Sequence, residues 1–228
     1  MIDQPQLSVV IPTLEAAATL PALLSDLASS GLPLEILVVD GGSSDETHKK
    51  AAEKGCRVLL TKPGRGQQLA AGANAAAGAW LLFLHADCRL PEEWDRAVVA
   101  FIGRPEPESQ AAHFQLKLDS TCPGARRVER LANWRATRLG LPYGDQGLLI
   151  HKELYAQVGG YPPVPLMEDV ALVRRLGKRR LHALPLPLLT SAARYERDGW
   201  WRRPLRNLGC LTLYFLGASP EWLVRRYH

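Results

Sequence analysis

This sequence is poor in the features that mark several common protein classes. Its four cysteines lie far apart with no C-x-x-C spacing, so we expect no structural zinc site and a reducing environment. Residues 1–7 are polar and do not resemble a signal peptide. The apolar run at residues 208–218 has only about half of the ~20 residues that a membrane-spanning helix needs. These absences predict a cytoplasmic protein without a transmembrane span.

Glycine is missing from the place where a dinucleotide-binding fold requires it. The first apolar run leads directly into Pro12-Thr13-Leu14-Glu15, and no G-x-G-x-x-G follows any predicted strand. In nicotinamide and flavin enzymes those glycines let the backbone approach a pyrophosphate. The sequence therefore argues against such enzymes. It also disfavours a sugar-phosphate nucleotidyltransferase, for which we expect a Gly-rich loop after the first strand.

What is present is a chain with the size and composition of one α/β domain. Its 228 residues are 46% hydrophobic, enough for a full core, and we expect one domain over residues 1–228. Apolar runs alternate with helical periods, which predicts βαβ units and a mostly parallel sheet flanked by helices. The predicted strands are 7–11, 34–39, 57–60, 80–84, 112–118 and 147–151, and the predicted helices are 16–29, 44–54, 67–77, 124–139 and 170–176.

Acidic residues follow the strands at the edge where such sheets bind ligands. The second strand leads into Asp40-Gly41-Gly42-Ser43-Ser44-Asp45. A tight turn and a helix cap are enough to explain these residues without any ligand. Asp40 at the strand tip is also placed to accept a hydrogen bond from a base N–H. Thr13 and Glu15 follow the first strand and allow two similar interpretations. They either begin a helix, as its N-cap and a first-turn acid, or they line a pocket for the base or ribose.

The most apolar strand ends in His85-Ala86-Asp87. A carboxylate there, together with a diphosphate, supplies the oxygen ligands that Mg²⁺ or Mn²⁺ prefers. A simple strand-end cap is the alternative. Arg65 lies in a Gly-Arg-Gly loop just before a predicted helix, which suits a phosphate but is a weak signal alone.

Two further polar motifs occur in the second half of the chain. Gly144-Asp145-Gln146-Gly147 offers two hydrogen-bonding side chains to an acceptor hydroxyl or to the sugar, and a plain polar turn is an equal interpretation. Glu168-Asp169 opens the predicted helix at 170–176, where acids are also common for structural reasons.

Taken in order, these motifs resemble those of family 2 glycosyltransferases with the GT-A fold. The resemblance rests on Pro12-Thr13-x-Glu15, the turn from Asp40 to Asp45, His85-Ala86-Asp87 and Glu168-Asp169, and it covers nearly the whole chain. A small bacterial subgroup labelled as arsenosugar-biosynthesis glycosyltransferases is the most similar. Its resemblance rests on segments 83–87, 144–147, 165–169 and 217–220.

The resemblance implies an inverting transferase that uses a UDP- or GDP-sugar, a divalent metal and an acceptor of unknown identity. Pro12, Thr13, Glu15 and Asp40 would bind the nucleotide. Asp87 would coordinate the metal. Asp169, with Glu168 beside it, would be catalytic. The first carboxylate of the usual Asp-x-Asp element is replaced by His85, whose neutral imidazole is able to ligate a metal.

A carboxylate at Asp169 also has a chemical rationale of its own. In an inverting displacement the acceptor hydroxyl loses its proton as it attacks, and a general base contributes about 10²–10⁴-fold to the rate. The resemblance assigns residues 1–104 to the nucleotide sugar, 105–190 to the acceptor and catalysis, and 191–228 to a basic, aromatic helical segment. A catalytically silent nucleotide- or lipid-binding protein is the remaining alternative.

Basic residues are concentrated at the end of the chain. Residues 174–228 carry 12 Lys+Arg and 3 Asp+Glu, against 16 and 20 in the residues before them. Among these arginines we expect Arg194 to contact the diphosphate. The mixture of arginines and aromatics predicts peripheral contact with the inner membrane face through residues 200–214. We expect no nucleic-acid partner, because the acidic strand tips would repel its phosphates.

Overall fold

One eight-stranded sheet organises residues 6–227, the part of the chain that the computed structural model describes. Along the sheet the strand order is β3-β2-β1-β4-β7-β6-β8-β5. The strands are β1 (Leu7–Thr13), β2 (Leu34–Asp40), β3 (Arg57–Leu60), β4 (Trp80–Phe83), β5 (Cys88–Arg89), β6 (Ala111–Leu118), β7 (Leu148–His151) and β8 (Leu181–Thr190). Residues 1–5, which carry most of the expectation about a signal peptide, lie outside the described range.

Strands β1 to β4 form the parallel half of the sheet. Thr13 of β1 pairs with Asp40 of β2, and Val10 of β1 pairs with Phe83 of β4. The carboxyl ends of these strands therefore lie at one edge. Polar residues that follow different strands meet there, as the βαβ pattern predicts.

Strand β7 runs antiparallel to β4 and reverses this order. Phe83, the last residue of β4, pairs with Leu148, the first residue of β7. The turn that precedes β7, residues 144–147, is consequently placed beside the segment that follows β4, His85 to Asp87. Two motifs that are some 60 residues apart in sequence meet for this reason.

Ten helices occur in residues 6–227, and they cover both faces of the sheet. They are α1 (Leu20–Ala28), α2 (Thr47–Glu53), α3 (Arg65–Ala75), α4 (Trp94–Ile102), α5 (Pro123–Leu139), α6 (Lys152–Gln157), α7 (Glu168–Leu176), α8 (Ala193–Asp198), α9 (Arg202–Phe215) and α10 (Pro220–Tyr227).

The alternation of side chains along each strand separates the core into two layers. Val9 and Ile11 of β1 pack with Leu23 of α1 on one face. Val10, between them, packs with Leu69 of α3 on the other face, where α7 also contributes. A further cluster joins α9 and α10 to α7.

Helix α3 is rich in alanine and glycine because it approaches the sheet closely. A Cβ at Gly72 would lie 2.3 Å from Cγ1 of Val10 and 2.9 Å from Cγ2 of Val39. Only a residue without a side chain fits there. The helix that carries Arg65 at its start is thereby fixed directly over β1 and β2.

The predicted α/β fold with a mostly parallel sheet is confirmed, and one long strand was missed. Pro185 and Pro187 interrupt the apolar run of β8, and proline in such a run argues against a strand. Over most of its length β8 is in effect an edge strand, because β5 pairs only with Leu189 and Thr190. Prolines are tolerated on an edge, since they need not donate to a neighbour.

Within residues 6–227, no helix has both the length and the apolar character required to cross a bilayer. The apolar run at residues 208–218 forms the second half of α9 and the turn after it.

Candidate functional site

A cleft opens at the carboxyl edge of the sheet, between the end of β4 and the start of α7. The cleft is open to solvent, and the space between its walls, including that open solvent, is about 830 Å³. Seven of the residues predicted from the sequence line it: Arg65, His85, Asp87, Asp145, Glu168, Asp169 and Arg194. The fold therefore brings five separate segments of the chain to one cleft.

Asp169 is held by backbone donors at the start of α7. Its Oδ2 accepts a hydrogen bond of 2.8 Å from the Gly144 N–H, and its Oδ1 accepts one of 2.7 Å from the Val170 N–H. The carboxylate is partly buried and lines the cleft. A carboxylate oriented by two fixed donors keeps further lone pairs for a proton or a ligand.

Gly144 controls the approach of the turn to His85. A Cβ at this position would lie 2.6 Å from Nε2 of His85 and 3.7 Å from Oδ2 of Asp169. The turn, the imidazole and the carboxylate are thus packed against one another without room for a side chain.

We expect Gly144→Ala to destabilise the protein by about 1–3 kcal/mol, because the added methyl group forces His85 or the turn to move. Chemical denaturation measures the change in the free energy of unfolding. Gly209→Ala is the matched control. Gly209 lies within α9 with no atom within 4 Å of an added Cβ, so this change is expected to be neutral or stabilising. Equal effects of the two substitutions would contradict the packing described.

His85 is a neutral imidazole in the cleft. Burial, and the nearby guanidinium groups of Arg65 and Arg194, hold the pKa of His85 well below its usual value. A neutral imidazole offers a nitrogen lone pair to a metal or to a donated hydrogen bond. The residue that replaces a carboxylate in the predicted motif therefore retains the capacity to be a ligand.

Glu168 is almost completely buried beside Asp169. Its Oε1 lies 3.7 Å from Nη1 of Arg65. Burial and the neighbouring Asp169 raise the pKa of Glu168 to about 7, against a partial opposing effect of Arg65. The group consequently changes charge near neutral pH.

This raised pKa predicts a pH dependence of stability. The folded pKa of Glu168 exceeds its ordinary value of 4.5. The contribution of Glu168 to the free energy of unfolding is therefore complete below pH 4.5 and is lost as the pH rises through about 7. Between pH 5 and pH 8 we expect Glu168 to lower the free energy of unfolding of the wild type by roughly 2 kcal/mol. Glu168→Gln should lack this part of the decline. Urea denaturation at both pH values measures it. Glu108→Gln, at an exposed position of a short 3-10 turn, should keep the wild-type decline. A decline that persists in Glu168→Gln would contradict the assignment.

Asp145 directs an unsatisfied carboxyl oxygen toward the cleft. Among the described residues, Oδ1 of Asp145 is buried without a hydrogen-bond partner. Burial raises the pKa of this carboxyl, and Asp169 and Asp87 raise it further. The backbone carbonyl of Asp145 is fixed by the Thr190 hydroxyl at 3.1 Å. A buried, unpaired carboxyl in a binding cleft is poised to pair with a ligand.

Asp87 is the available carboxylate at the end of β4. Its side chain forms no hydrogen bond or ion pair with any described residue, and it lines the cleft. No group of three or more His, Cys, Asp or Glu residues in the described chain forms a complete metal site. Asp87 with the neutral His85 instead fits a Mg²⁺ or Mn²⁺ ion that takes its remaining ligands from a substrate diphosphate and water.

Thr13 and Asp40 are the last residues of β1 and β2, and both are buried. The Thr13 hydroxyl donates to Oδ1 of Asp40 at 2.9 Å. The same carboxylate accepts hydrogen bonds from the Gly42 and Ser43 N–H groups and from the Ser43 hydroxyl. His48 Nε2 lies 2.7 Å from Oδ2. Burial alone would raise the pKa of Asp40, but these hydrogen bonds lower it. The carboxylate is fully buried, and in this structure it organises the turn.

Glu15 joins the tips of β1 and β2 at the surface. It is exposed, with a left-handed backbone at φ 52°. Its Oε1 accepts hydrogen bonds from the Ser44 N–H at 2.7 Å and the Ser44 hydroxyl at 3.0 Å. Pro12 is partly buried beside Thr13. Pro12, Thr13, Glu15 and Asp40 form a neighbouring region rather than part of the cleft lining.

The structure does not bring Gln146 into the cleft. Its side chain is completely buried and donates to the Phe114 carbonyl at 3.2 Å and to Asn133 Oδ1 at 3.3 Å. Gln146 therefore anchors the turn to β6 and α5, where we had predicted a direct acceptor contact. Asp145, the preceding residue, is the one that faces the cleft.

Several lining residues were not predicted from the sequence as part of a site: Tyr143, Thr190, Ser191, Tyr195 and Asn207. Arg203 is nearly buried and lies 2.6 Å from Oδ2 of Asp198. Arg203 and Asn207 are one helical turn apart on α9. Their spacing in the sequence indicates that both residues lie on one face of a helix. It does not indicate a site until α9 is known to border the cleft.

Comparison with known proteins agrees with the fold and the motifs. Residues 8–139 match the family described as Glycosyl transferase family 2. A PGL/p-HBAD biosynthesis glycosyltransferase of Mycobacterium tuberculosis is 42% identical over 112 residues, which are 45% of this chain and 44% of that protein. The glucosyl-3-phosphoglycerate synthase of the same species is 30% identical over 92 residues, which are 36% and 28% of the two chains. The matched region thus spans less than half the length of these relatives.

Solved structures share the fold at low sequence identity. The glucosyl-3-phosphoglycerate synthase of Mycobacterium tuberculosis, in complex with Mn²⁺, UDP and glucosyl-3-phosphoglycerate, gives a TM-score of 0.58 at 21% identity, covering 82% of this chain and 71% of that one. S. aureus TarS gives a TM-score of 0.64 at 17% identity, covering 96% and 41%. TarS residues 1–349 in complex with UDP give 0.63 at 19% identity, covering 82% and 60%.

The predicted GT-A fold is confirmed by these structures. The family match, residues 8–139, covers more than half of the 228 residues. The chain belongs to glycosyl transferase family 2.

Proposed function

We propose that this protein transfers a sugar from a UDP-sugar to an acceptor hydroxyl, with inversion at the anomeric carbon and with a divalent metal. The observation that carries the proposal is the convergence of Arg65, His85, Asp87 and Asp169 in one cleft at the carboxyl edge of the sheet. This is the edge at which open α/β sheets bind nucleotides.

The charge balance of the cleft supports a metal-bound diphosphate. Four carboxyl groups line it, at Asp87, Asp145, Glu168 and Asp169, along with three arginines. Two of these arginines are already paired with carboxylates, Arg203 with Asp198 and Arg65 with Glu168. A bare diphosphate would be repelled by such a lining. A divalent ion held by Asp87, with His85 available as a second ligand, would neutralise the leaving diphosphate when bound.

Asp169 is proposed as the general base. In the reaction the acceptor oxygen forms a bond to the anomeric carbon, the bond to the diphosphate oxygen breaks, and the acceptor proton passes to Asp169. The hydrogen bonds from Gly144 and Val170 orient the carboxylate for that transfer. Glu168 sets the electrostatic environment of Asp169 from the buried side. Arg194 and Arg65 are proposed to bind the diphosphate oxygens.

The region formed by Pro12, Thr13, Glu15 and Asp40 is proposed to bind the nucleoside. Asp40 holds the turn at Gly42 and Ser43, so its contribution includes shaping the pocket. UDP is favoured over GDP because the synthase and TarS were crystallised with UDP. Asp145, with its unpaired Oδ1, is proposed to bind a hydroxyl of the sugar or the acceptor.

Placement in the arsenosugar subgroup remains a prediction from motif resemblance. The mycobacterial relatives carry other names. The cleft explains a transferase without reference to arsenic chemistry.

Incubation with a panel of UDP-sugars, Mn²⁺ and simple alcohol acceptors, with UDP release as the readout, tests the proposal. We expect release of UDP from at least one donor, and an anomeric configuration in the product opposite to that of the donor. A parallel reaction with a sugar 1-phosphate and a nucleoside triphosphate tests for a nucleotidyltransferase. Release of pyrophosphate there, without UDP release from any donor, would overturn the proposal.

A further inference from the structure

Helix α9 has one face toward the cleft and the core and another face toward solvent. Arg203 and Asn207 point toward the cleft, and Cys210 and Leu211 are buried in the core. The opposite face is apolar and unusually exposed. Its exposed fractions are 61% for Trp201, 62% for Leu205, 58% for Leu208, 45% for Phe215 and 77% for Leu216. Together with the exposed Thr212, and counting Trp201 and Leu216 that flank the helix, these residues recur at helical spacing, so they form one outward stripe.

The exposed face of α5 continues this stripe. Leu131 is 61% exposed and Trp134 is 54% exposed, and both lie on the side of α5 that also carries Arg127. The Arg127 guanidinium lies 4.2 Å from the centre of the Trp201 ring. This contact places the start of α9 beside α5, and we call the exposed apolar faces of the two helices together the α5–α9 surface.

Helices α5 and α9 carry mostly positively charged side chains. Helix α9 contains three arginines and no acidic residue, and two of these arginines, Arg203 and Arg206, pair with Asp198. Helix α5 contains five arginines and one acid, Glu129. Glu129 is nearly buried and accepts a hydrogen bond from Arg126 at 2.7 Å. At the far end of α9, the Arg174 guanidinium lies 4.7 Å from the Phe215 ring. Exposed apolar residues are thus interleaved with cations.

We propose that the α5–α9 surface docks on an anionic lipid bilayer. Leucines and aromatic rings on one helical face, bordered by arginines, are the composition of helices that lie in a membrane interface. Tryptophan is favoured at that depth because its ring is apolar and its N–H is polar. The arginines add attraction to anionic headgroups, an attraction that weakens with salt.

Charge complementarity favours a bilayer over a second copy of the chain. A symmetric dimer through this surface would bring the arginines of α5 and α9 together with those of its partner, and like charges across an interface are unfavourable. A bilayer with anionic headgroups has the opposite charge and an apolar layer at the depth of the leucines.

The orientation follows from the two faces of α9. Its diameter with side chains is about 10–12 Å, so docking places the cleft about one helix diameter from the headgroups. The predicted membrane segment, residues 200–214, is refined by this geometry. Trp200 stacks on Tyr195 and packs against Gly124, whereas Trp201 and the α5 residues face outward. The proposal does not rest on the proposed transfer reaction.

Flotation with vesicles tests the proposal on the whole protein. We expect the wild type to float with vesicles of phosphatidylcholine and phosphatidylglycerol and to be released by high salt. The double variant Leu205→Gln, Leu208→Gln should bind about tenfold or more weakly, because two exposed leucines no longer enter the apolar layer. The matched control is Leu60→Gln, Val99→Gln, at two exposed apolar positions on β3 and α4, and it should bind as the wild type does.

Three outcomes would overturn the proposal. The first is a wild type that does not float with anionic vesicles, and the second is a control that loses binding as much as the double variant does. The third is a wild type that is dimeric by sedimentation and a double variant that is monomeric, which would assign the surface to a second copy. The circular dichroism spectrum and the Tm of each variant report that it is folded, which keeps this test independent of the proposed function.

Discussion

Replacement of Asp169 by Asn is expected to slow sugar transfer by about 10²–10⁴-fold, the usual contribution of a general base. Asparagine retains the size of the side chain and an oxygen for the Gly144 N–H, but it cannot take a proton from the acceptor. The rate constant kcat, measured by UDP release with saturating donor and acceptor, should fall. The Kd for UDP should stay at the wild-type value.

This separation of rate from binding distinguishes the proposed enzyme from a silent binding protein. Glu108→Gln, at an exposed position of a short 3-10 turn that does not line the cleft, should change neither quantity. If Asp169→Asn retains the wild-type kcat, Asp169 is not the base. If it loses UDP binding as severely as transfer, its role is to hold the donor site together.

Replacement of Asp87 by Asn is expected to abolish most of the metal-dependent stabilisation by UDP. A ligand at ~100 times its Kd stabilises a folded protein by about 2.7 kcal/mol. For a chain of this size that corresponds to roughly 5–10 °C in Tm. In the wild type this shift should require both UDP and Mn²⁺. In Asp87→Asn it should be nearly absent, because an amide replaces the carboxylate available to the ion.

The melting temperature without ligands is the internal control for this variant. Asp87 forms no hydrogen bond or ion pair with the described residues, so the unliganded Tm should be unchanged. A wild-type shift with UDP that is equally large in the presence of a chelator would contradict the role given to Asp87.

The first half of the site was predictable from the sequence because it obeys a local rule. Parallel strands linked by helices align their carboxyl ends, so residues that follow β1, β2 and β4 must be neighbours. Thr13, Asp40 and His85 could be placed at one edge for that reason. The burial of Asp40 was not predictable, since its five contacts depend on the three-dimensional path of the turn and on His48.

The second half was not predictable because it depends on strand direction. Nothing in the run from Leu148 to His151 shows that it pairs antiparallel to β4. That pairing alone brings Gly144 beside His85 and places its N–H on Asp169. The same register turns Gln146 inward and Asp145 outward, a choice that a four-residue polar motif does not specify.

Helix α9 illustrates a different limit. Its exposed leucines and its buried Arg203 reverse the usual pattern of polar outside and apolar inside. Read as a sequence, the segment is a basic, aromatic stretch with several interpretations. Only the position of α9 between the cleft and solvent assigns a use to each face.

Isothermal titration of the wild-type protein with UDP, with and without Mn²⁺, decides whether the cleft is a metal-dependent nucleotide site. The account predicts saturable binding of UDP at one site when Mn²⁺ is present, loss of that binding when the metal is chelated, and weaker binding of GDP. Absence of UDP binding under both conditions would contradict the claim that this cleft is a metal-dependent nucleotide-sugar site.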